Sequence, residues 1–310
     1  MTTLLQGKTA LVTGAGRGIG RGIARELARH GCSVAVNDID DARATATAEE
    51  LTDEFDARSI PVVGDVSDPD DADRLVDEVV EEFDGLDVLV NNAAIINPQA
   101  YEEIDADSWQ AVIDVNLTGV QLCTSAAYSE LKSGDGGSIV NVSSTAGMRV
   151  SLLAGAHYTT SKWGVIGLTK HVAQVGGEHG VRANALCPGP TETTPTLELT
   201  DEAQRDQTAD ADIPLGRWGQ PEDVGRAAVF LASDISEYVT GGSSRSTAVS
   251  RSADRVSPDC CSARRWVFAR RPVDSGYASS SVHRTGGARY CRTDRTAGPD
   301  ERSRPCRGPG

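Results

Sequence analysis

The chain has 310 residues and a formal net charge of −15, and this charge is unevenly divided along it. Residues 1–242 hold 16 Lys+Arg against 39 Asp+Glu, a balance of −23, whereas residues 243–310 hold 14 Arg, no Lys and 6 Asp+Glu, a balance of +8. A body this acidic repels nucleic acid and anionic membranes, which excludes both as partners. No apolar run approaches the roughly 20 residues that span a bilayer, and residues 1–9 lack the pattern of a secretory signal.

The cysteines and lysines of residues 1–242 indicate the compartment. Cys32, Cys123 and Cys187 are widely spaced and odd in number, which predicts reduced thiols in a cytoplasm. No cluster has the spacing of metal ligands, so no metal site is predicted. Only four lysines accompany the many acidic residues. This pattern is typical of a salt-rich cytoplasm, where ions screen self-repulsion, and the alternative is an ordinary acidic protein.

Apolar runs alternate with segments of helical spacing along residues 1–242. Strands are predicted over 9–13, 33–38, 60–65, 87–91, 138–143 and 181–187. Helices are predicted over 19–30, 41–55, 70–83, 108–132, 156–178 and 222–233, and a loop-rich mobile substrate flap over 188–212. Strands joined by such helices form a parallel sheet covered on both faces, so the prediction is a single Rossmann-type, doubly wound α/β domain. Ligands of such sheets bind at the carboxyl ends of the strands.

A glycine turn, residues 13–20 (Thr-Gly-Ala-Gly-Arg-Gly-Ile-Gly), follows the first predicted strand and opens the first helix. Glycines let the backbone pass close to a pyrophosphate, and the helix N-terminus supplies N–H donors and a favourable dipole. The spacing Gly14-x-x-x-Gly18-x-Gly20 differs from the common G-x-G-x-x-G pattern. The alternative interpretation is a tight strand-to-helix turn without a ligand.

Acidic residues follow the second predicted strand, which ends at Asp38. A carboxylate there accepts hydrogen bonds from an adenosine ribose and repels a 2′-phosphate, so NAD is predicted over NADP. Asp40 and Asp41 add negative charge, while the nearest basic residues are Arg43 and Arg17. The alternative is a solvated acidic turn.

Two further segments follow strands and are predicted to line an adenine and ribose groove. They are Asp65-Val66 after the third strand and Asn91-Asn92-Ala93-Ala94 after the fourth. Either segment alone is only a loop after a strand.

Tyr158 and Lys162 stand four residues apart at the start of a predicted helix, so they share one helix face. A free tyrosine has a pKa of about 10, too high for a base at neutral pH, and a nearby ammonium lowers that pKa. Taken alone, this spacing is usually a surface pair. Ser143-Ser144 ends the fifth strand at the same crevice, and Asn116 lies in the long predicted helix.

Taken together, these motifs resemble the short-chain dehydrogenase/reductase family in its common form. The resemblance covers residues 1–242 and agrees in the order of the motifs and in their positions relative to the strands. The matching residues are the glycine turn, Asp65-Val66, Asn91-Asn92-Ala93-Ala94, Asn116, Ser144, Tyr158 with Lys162, and Cys187-Pro188-Gly189-Pro190-Thr191. Ala94 stands where the family usually has Gly.

The resemblance implies a role for each of four catalytic candidates. Tyr158 would be the general acid/base for a substrate hydroxyl or carbonyl, and Ser144 would hydrogen-bond that oxygen. Lys162 would bind the nicotinamide ribose and depress the pKa of Tyr158, and Asn116 would hold a water in a proton relay. The hydride would move between the nicotinamide and a substrate carbon.

The resemblance also implies which residues bind the dinucleotide. Pro188, Gly189 and Thr191 would lie beside the nicotinamide, and Thr193 would hydrogen-bond its carboxamide. The full predicted set is Gly14, Arg17, Gly18, Ile19, Gly20, Asp38, Asp65, Val66, Asn92, Ala93, Tyr158, Lys162, Pro188, Gly189, Thr191 and Thr193.

Departures from the family pattern concern the substrate side. Ser144 and Tyr158 are 14 residues apart, one more than is common, which predicts a slightly longer substrate loop. Ser143 is the alternative catalytic serine, but Ser144 fits better because Gly147 follows it by three. His157 could reach a substrate, although a loop histidine at the rim of the site is the favoured interpretation.

From residue 243 onward the chain leaves the family pattern, which expects a last strand of the type apolar-x-Val-Asp-Gly-Gly. Residues 243–310 are rich in Arg, Ser, Gly and Pro and hold four cysteines without helical or strand periodicity. This composition predicts a disordered tail, a missing last strand and an exposed sheet edge. One alternative is a basic tail that binds an acidic partner or nucleic acid. A second is a metal site formed by the cysteines, but the spacing of Cys260-Cys261 fits no zinc pattern.

The genetic code offers a consistency check on this tail. With codons ending in G or C, Ser244 to Val249 can be written TCC CGG TCG ACG GCG GTC. Read one base earlier, with a C before and TC after, the same bases encode Leu-Pro-Val-Asp-Gly-Gly-Leu, the expected last strand. The codons are chosen rather than known. The hypothesis is that the chain from about residue 243 is an out-of-frame reading of a GC-rich gene.

The predicted function is a cytoplasmic oxidoreductase that transfers a hydride between NAD(H) and a secondary alcohol or ketone. Candidate substrates are sugars, polyols, 3-oxoacyl thioesters and small ketones. A homo-oligomer, dimer or tetramer, is expected if the last strand is restored. The alternative is a non-catalytic NAD-binding or scaffold protein, or an inactive member that has lost its last strand.

Overall fold

Seven parallel strands form one sheet in the order β3-β2-β1-β4-β5-β6-β7 in a computed structural model, which describes residues 3–134, 136–151 and 154–244. The strands are β1 (Thr9–Val12), β2 (Ser33–Asp38), β3 (Ser59–Val63), β4 (Val88–Asn91), β5 (Ser138–Val142), β6 (Arg182–Leu186) and β7 (Ser243–Ser244). The strand order reverses between β1 and β4, and the crevice at this reversal is where doubly wound sheets bind ligands. The predicted Rossmann-type α/β fold is confirmed.

Nine α-helices of the described residues connect and flank the strands. They are α1 (Gly18–Arg29), α2 (Asp41–Phe55), α3 (Pro69–Phe83), α4 (Ala106–Ile113), α5 (Gly119–Ser133), α6 (Gly155–Gly176), α7 (Thr194–Leu199), α8 (Glu202–Asp212) and α9 (Pro221–Ala232). Helix starts follow local chemistry, as at α3, where the Asp68 side chain accepts the N–H groups of Asp70 and Asp71 and Pro69 occupies the first turn.

The sheet is buried on both faces, which explains its continuous apolar strands. Neighbouring residues of one strand serve opposite faces: Val12 packs with Leu27 of α1 and Leu231 of α9, whereas Leu11 packs with the helices on the other side. The two resulting apolar layers fix the carboxyl ends of the strands rigidly.

Two helical segments differ from the prediction. The predicted flap, residues 188–212, is not mainly loop, because it contains α7 and α8. Each begins with a capping box, formed by Thr193 with Thr196 and by Asp201 with Gln204. Likewise, the predicted helix over 108–132 is α4 and α5 joined by a π-helical turn, Asp114–Thr118.

The sequence predicts that the last strand is missing, but this is wrong for the first two residues of the predicted tail. Ser243 and Ser244 form β7, paired in parallel with Ala185 and Leu186, and the Cys187 N–H donates to the Ser244 carbonyl at 2.8 Å. Backbone groups at the edge of β6 need partners, and this segment provides them. The predicted tail from residue 245 lies outside the described residues.

Within the described ranges, no helix is long and apolar enough to cross a membrane. The three cysteines of this part, Cys32, Cys123 and Cys187, are all buried.

Candidate active site

The glycine turn lies against the chain that leaves β4. Gly14 and Gly18 have φ values of +60° and +57°, a region that side chains other than glycine rarely adopt. A Cβ at Gly14 would stand 2.8 Å from the Ala93 Cα, and a Cβ at Gly20 would overlap the Gly14 carbonyl and the Asn92 amide. The turn is therefore a backbone cradle at the N-terminus of α1, which fits the pyrophosphate of a dinucleotide.

Asn92 and Thr13 hold this cradle in place. The Asn92 Nδ2 donates to the carbonyl oxygens of Thr13 and Gly14 at 2.9 and 3.0 Å. The Thr13 Oγ1 accepts the N–H groups of Asn92 and Ala93 at 3.0 and 3.1 Å. The Asn92 side chain, predicted to line the cofactor groove, is thus engaged in shaping the turn. Of the other predicted turn residues, Arg17 is exposed and Ile19 half-buried.

Asp38 lies beside the glycine turn, as predicted, and is already hydrogen-bonded there. Its Oδ2 accepts the Gly16 N–H at 3.2 Å. Its Oδ1 accepts the Asp40 N–H at 3.1 Å and pairs with the Arg43 guanidinium at 2.9 Å. The sequence identified Arg43 only as the nearest basic residue downstream. The ion pair places a cation directly next to the carboxylate proposed to select the cofactor.

The segment after β3 contains Asp65 and Val66, which the sequence places in the cofactor groove. Asp65 Oδ1 accepts the backbone N–H and the hydroxyl of Ser67 at 2.9 and 2.7 Å. Val66 is 6% exposed and faces Gly119 of α5, where a Cβ would come within 2.9 Å of the Val66 Cγ2. The Val66 side chain therefore packs against α5, and the place of this segment in the cofactor groove stays a prediction.

Ser144 and Tyr158 meet above the carboxyl end of β5. Tyr158 is half-buried in the first turn of α6, and its side chain is hydrogen-bonded to that of Ser144. Ser143, the alternative serine, is buried and donates its hydroxyl to the Lys162 carbonyl at 2.8 Å. A Cβ at Gly147 would stand 2.6 Å from that same carbonyl, so glycine allows the close approach. The geometry favours Ser144 as the serine of the site.

Lys162 is 2% exposed, and its Nζ donates to the Val142 carbonyl at 3.0 Å. The Nζ stands 5.7 Å from the centroid of the Tyr158 ring. Burial lowers the pKa of Lys162 to about 8. Burial also raises the pKa of Tyr158, which the hydrogen bond with Ser144 opposes. The pKa of Tyr158 is therefore raised by desolvation, and its depression by the Lys162 ammonium stays a prediction.

Titration of Lys162 should appear in the pH dependence of stability. The pKa is about 8 in the fold and about 10.4 in an unfolded chain. The unfolded chain therefore binds more protons between these values, and the free energy of unfolding gains a term that rises with pH. Lys162→Met removes this term. We therefore expect the free energy of unfolding of the wild type, minus that of the variant, to grow by up to roughly 3 kcal/mol from pH 8 to 10.5.

Urea denaturation of both proteins across this pH range measures the difference. Burial raises the pKa values of the Cys32 and Cys123 thiols, which lowers stability at high pH. Because both proteins contain these thiols, their effect cancels in the difference. A difference that stays flat from pH 8 to 10.5 would contradict the lowered pKa.

Asn116 connects the β4 loop, residues 92–99, to the Tyr158 turn. It is fully buried in the π-helical turn, where its Oδ1 accepts the Ile95 N–H at 2.8 Å and its Nδ2 donates to the Ile95 carbonyl at 3.0 Å. The Nδ2 is also 3.4 Å from the Ser161 Oγ, which donates to the Tyr158 carbonyl at 2.8 Å. The side chain is thus a clamp, and its role in a water relay stays a prediction.

The segment after β6 folds over the glycine turn. A Cβ at Gly18 would stand 3.5 Å from the Thr193 side chain, and the Thr145 N–H donates to the Pro188 carbonyl at 2.9 Å. Thr191 is buried and donates its hydroxyl to the Gly189 carbonyl at 3.0 Å. The predicted nicotinamide-side residues therefore lie between the β5 and β1 loops, as the strand order requires.

His157 is not at the rim, contrary to the favoured prediction. Its side chain is fully buried in the first turn of α6, directly before Tyr158. Sequence periodicity did not show this, because the preceding loop lacks a pattern. Throughout the described part of the chain, no group of three or more His, Cys, Asp or Glu residues could hold a metal ion.

Comparison with known proteins agrees with this geometry. A family model described as Enoyl-(Acyl carrier protein) reductase matches residues 14–244. The chain is 40% identical over 246 residues to an L-rhamnose 1-dehydrogenase (NAD(P)(+)) of Sphingomonas sp., covering 77% of this chain and 94% of the relative. It is 39% identical over 237 residues to the 3-oxoacyl-(acyl-carrier-protein) reductase FabG of Thermotoga maritima, covering 76% and 95%.

A solved structure supports the same relationship. A crystal structure described as a short-chain alcohol dehydrogenase, from Sinorhizobium meliloti 1021, superposes with a TM-score of 0.75 at 33% identity, covering 80% of this chain and 97% of that one. The glycine cradle, the strand order and these matches show that the chain belongs to the short-chain dehydrogenase/reductase family of NAD(P)-dependent alcohol and ketone oxidoreductases.

Proposed function

We propose that the protein is an NAD-preferring oxidoreductase that interconverts a secondary alcohol and its ketone, with Tyr158 as the general acid/base. The observation that carries this proposal is the placement of Ser144, Tyr158 and buried Lys162 together where the strand order directs a dinucleotide. Bound NAD(H) would supply hydride transfer to or from the substrate carbon.

The residues of the chain account for the proton and for substrate orientation. The Ser144 hydroxyl, already hydrogen-bonded to Tyr158, orients the substrate oxygen toward the phenol. Tyr158 donates its proton when that oxygen is a carbonyl and accepts one when it is a hydroxyl. Lys162 is held under the Tyr158 ring by the Val142 carbonyl, so its ammonium favours the phenolate during transfer.

The glycine cradle and Asp38 would hold the dinucleotide. Positions 14, 16 and 20 have no room for a Cβ because the turn packs closely against its neighbours, which fixes its shape. The backbone N–H groups at the start of α1 would then bind the pyrophosphate. Asp38 would accept hydrogen bonds from the adenosine ribose. The relatives include a dehydrogenase named for NAD(P)(+), so the preference for NAD rests on the Asp38 carboxylate alone.

The substrate classes within this proposal are sugars, polyols, 3-oxoacyl thioesters and small ketones. The two relatives of nearly equal identity are named for L-rhamnose and for a 3-oxoacyl group on a carrier protein, which keeps both classes in the test panel. We place the enzyme in the cytoplasm. Turnover of one member of the panel with NAD(H), followed by nicotinamide absorbance, tests the proposal. Dinucleotide binding without turnover of any member would instead support the binding-protein alternative.

Removal of the Asp38 carboxylate is expected to relax cofactor choice. In Asp38→Ala, the 2′-phosphate of NADP no longer meets a buried negative charge, and Arg43 keeps only its longer ion pair with Asp40, 3.6 Å, so it can pair with the phosphate. We expect the ratio of kcat/KM for NAD over NADP to fall by about 10- to 100-fold. Asp41→Ala is the matched control, since it removes a nearby exposed charge at the start of α2. Equal use of NAD and NADP by the wild type would refute the charge argument.

A further inference from the structure

His157 makes a contact with the catalytic turn that no sequence pattern indicated. Its Nδ1 accepts the backbone N–H of Tyr158 at 2.8 Å. Tyr158 is the fourth residue of α6, so the carbonyl of the N-cap residue Ala154 is its usual intrahelical acceptor, and the His157 ring adds a second, side-chain acceptor for the same N–H. Because Nδ1 is an acceptor here, the neutral ring carries its proton on Nε2.

The Nε2 of His157 connects the same turn to the β4 loop. It stands 3.4 Å from the Oε1 of Gln99, which also accepts the Asn97 Nδ2 at 3.0 Å. The other end of this loop is clamped by Asn116 at Ile95. The β4 loop is therefore tied to the Tyr158 turn at two points, and His157 forms the second.

Local backbone geometry is adapted to the ring of His157. Gly155 has a φ of +69°, and a Cβ there would stand 2.7 Å from the His157 Cε1. A residue other than glycine would be strained and would push the ring aside. The fully buried imidazole thus occupies a fixed place between α6 and the β4 loop.

The β4 loop borders the substrate side of the crevice, because it leaves the strand next to β5. Ile95 and Ile96 of this loop are 39% and 38% exposed, and Gln99 is half-buried. Both contacts of Gln99 with the described residues use its Oε1, so its Nε2 is the group that would donate to a substrate oxygen.

We propose that His157 is a positioning residue that fixes Tyr158 through Nδ1 and Gln99 through Nε2, and that Gln99 thereby becomes a specificity-determining donor. Gln99 would donate a hydrogen bond to a second oxygen on the substrate, close to the reacting carbon, as in a sugar or polyol. This inference rests on the proposed function, since it assigns a substrate feature to the same site.

Two substitutions separate the two contacts. In His157→Asn, the Oδ1 replaces Nδ1 and keeps the acceptor for Tyr158 but loses the link to Gln99. In His157→Gln, the Nε2 keeps the link to Gln99 but loses the acceptor for Tyr158. The matched control pair is His171→Asn and His171→Gln, which make the same changes on an exposed histidine of α6.

The first readout is steady-state kinetics on paired substrates, a polyol or sugar and a simple secondary alcohol. We expect His157→Gln to lower kcat by roughly 10- to 100-fold on both, since the general acid/base is displaced. We expect His157→Asn and Gln99→Leu to raise KM by about 10-fold for the polyhydroxylated substrate only, because a binding contact is lost. Unchanged kcat in His157→Gln, or equal KM changes on both substrates, would overturn the assignment.

The second readout needs no turnover and therefore separates this inference from the proposed function. Amide hydrogen exchange followed by mass spectrometry reports the protection of the Tyr158 N–H and of residues 95–99. We expect protection at Tyr158 to be reduced in His157→Gln and kept in His157→Asn, with residues 95–99 deprotected in His157→Asn. Exchange that matches the wild type in both variants refutes the positioning role. If the two variants show the expected changes in exchange but the wild type turns over no substrate, only the proposed function is refuted.

Discussion

Tyr158→Phe is expected to lower kcat by about 10²- to 10⁴-fold while leaving the fold and dinucleotide binding intact. The substitution removes only the phenolic oxygen, which is the group that exchanges a proton with the substrate oxygen. The aromatic ring remains above the Lys162 ammonium, and the backbone N–H remains bonded to His157. The loss corresponds to about 3–5 kcal/mol of transition-state stabilisation.

The measurement is kcat on a responsive alcohol at neutral pH, together with the dissociation constant for NADH from fluorescence. Tyr128→Phe is the matched control, because it removes a phenol from α5 that donates only to the Val175 carbonyl at 3.3 Å. We expect the control to retain wild-type kcat. Activity of Tyr158→Phe within tenfold of wild type would show that another group is the general acid/base.

Much of this fold could be predicted because its strands are buried on both faces. The predicted ranges of β2 and α2 agree with the structure at both ends, since the apolar run 33–38 and the helical segment 41–55 are separated by capping Asp40. In contrast, α8 is a polar helix with little apolar periodicity. Its start was nevertheless readable, because Asp201 and Gln204 have the spacing of a capping box.

The sequence identified candidate residues for the site but not the contacts between them. Ser144 is selected by its position after a strand, Tyr158 and Lys162 by their four-residue spacing, and all three by the family resemblance; the structure brings them close together. The periodicity of a sequence carries no information on which side chains form hydrogen bonds with residues that are distant in the sequence. The pairing of Arg43 with Asp38 and the burial of His157 both depend on loop conformations, so they emerged only with the structure.

Restoring the family-type last strand is expected to raise Tm by roughly 10 °C. β7 holds two residues in the described structure, Ser243 and Ser244, and the family match also ends at residue 244. The alternative frame would replace Ser244 and the residues after it by Leu-Pro-Val-Asp-Gly-Gly-Leu, so that the strand continues from Ser243. Burial of the added Leu and Val contributes about 1.5–3 kcal/mol each, and a domain of this size shifts by about 2–4 °C per kcal/mol.

The first measurement is the DNA sequence of the gene across codons 238–252, where we expect one base added or missing. The chain as written, the restored chain and a control ending at residue 244 are then compared by thermal unfolding and sedimentation. The control removes the Arg-rich segment without adding a strand, so it separates the two effects. We expect only the restored chain to gain stability and to sediment as a dimer or tetramer. An intact frame, with no gain on restoration, would make a binding-only protein the leading explanation and would require cofactor binding to be shown before catalysis is tested.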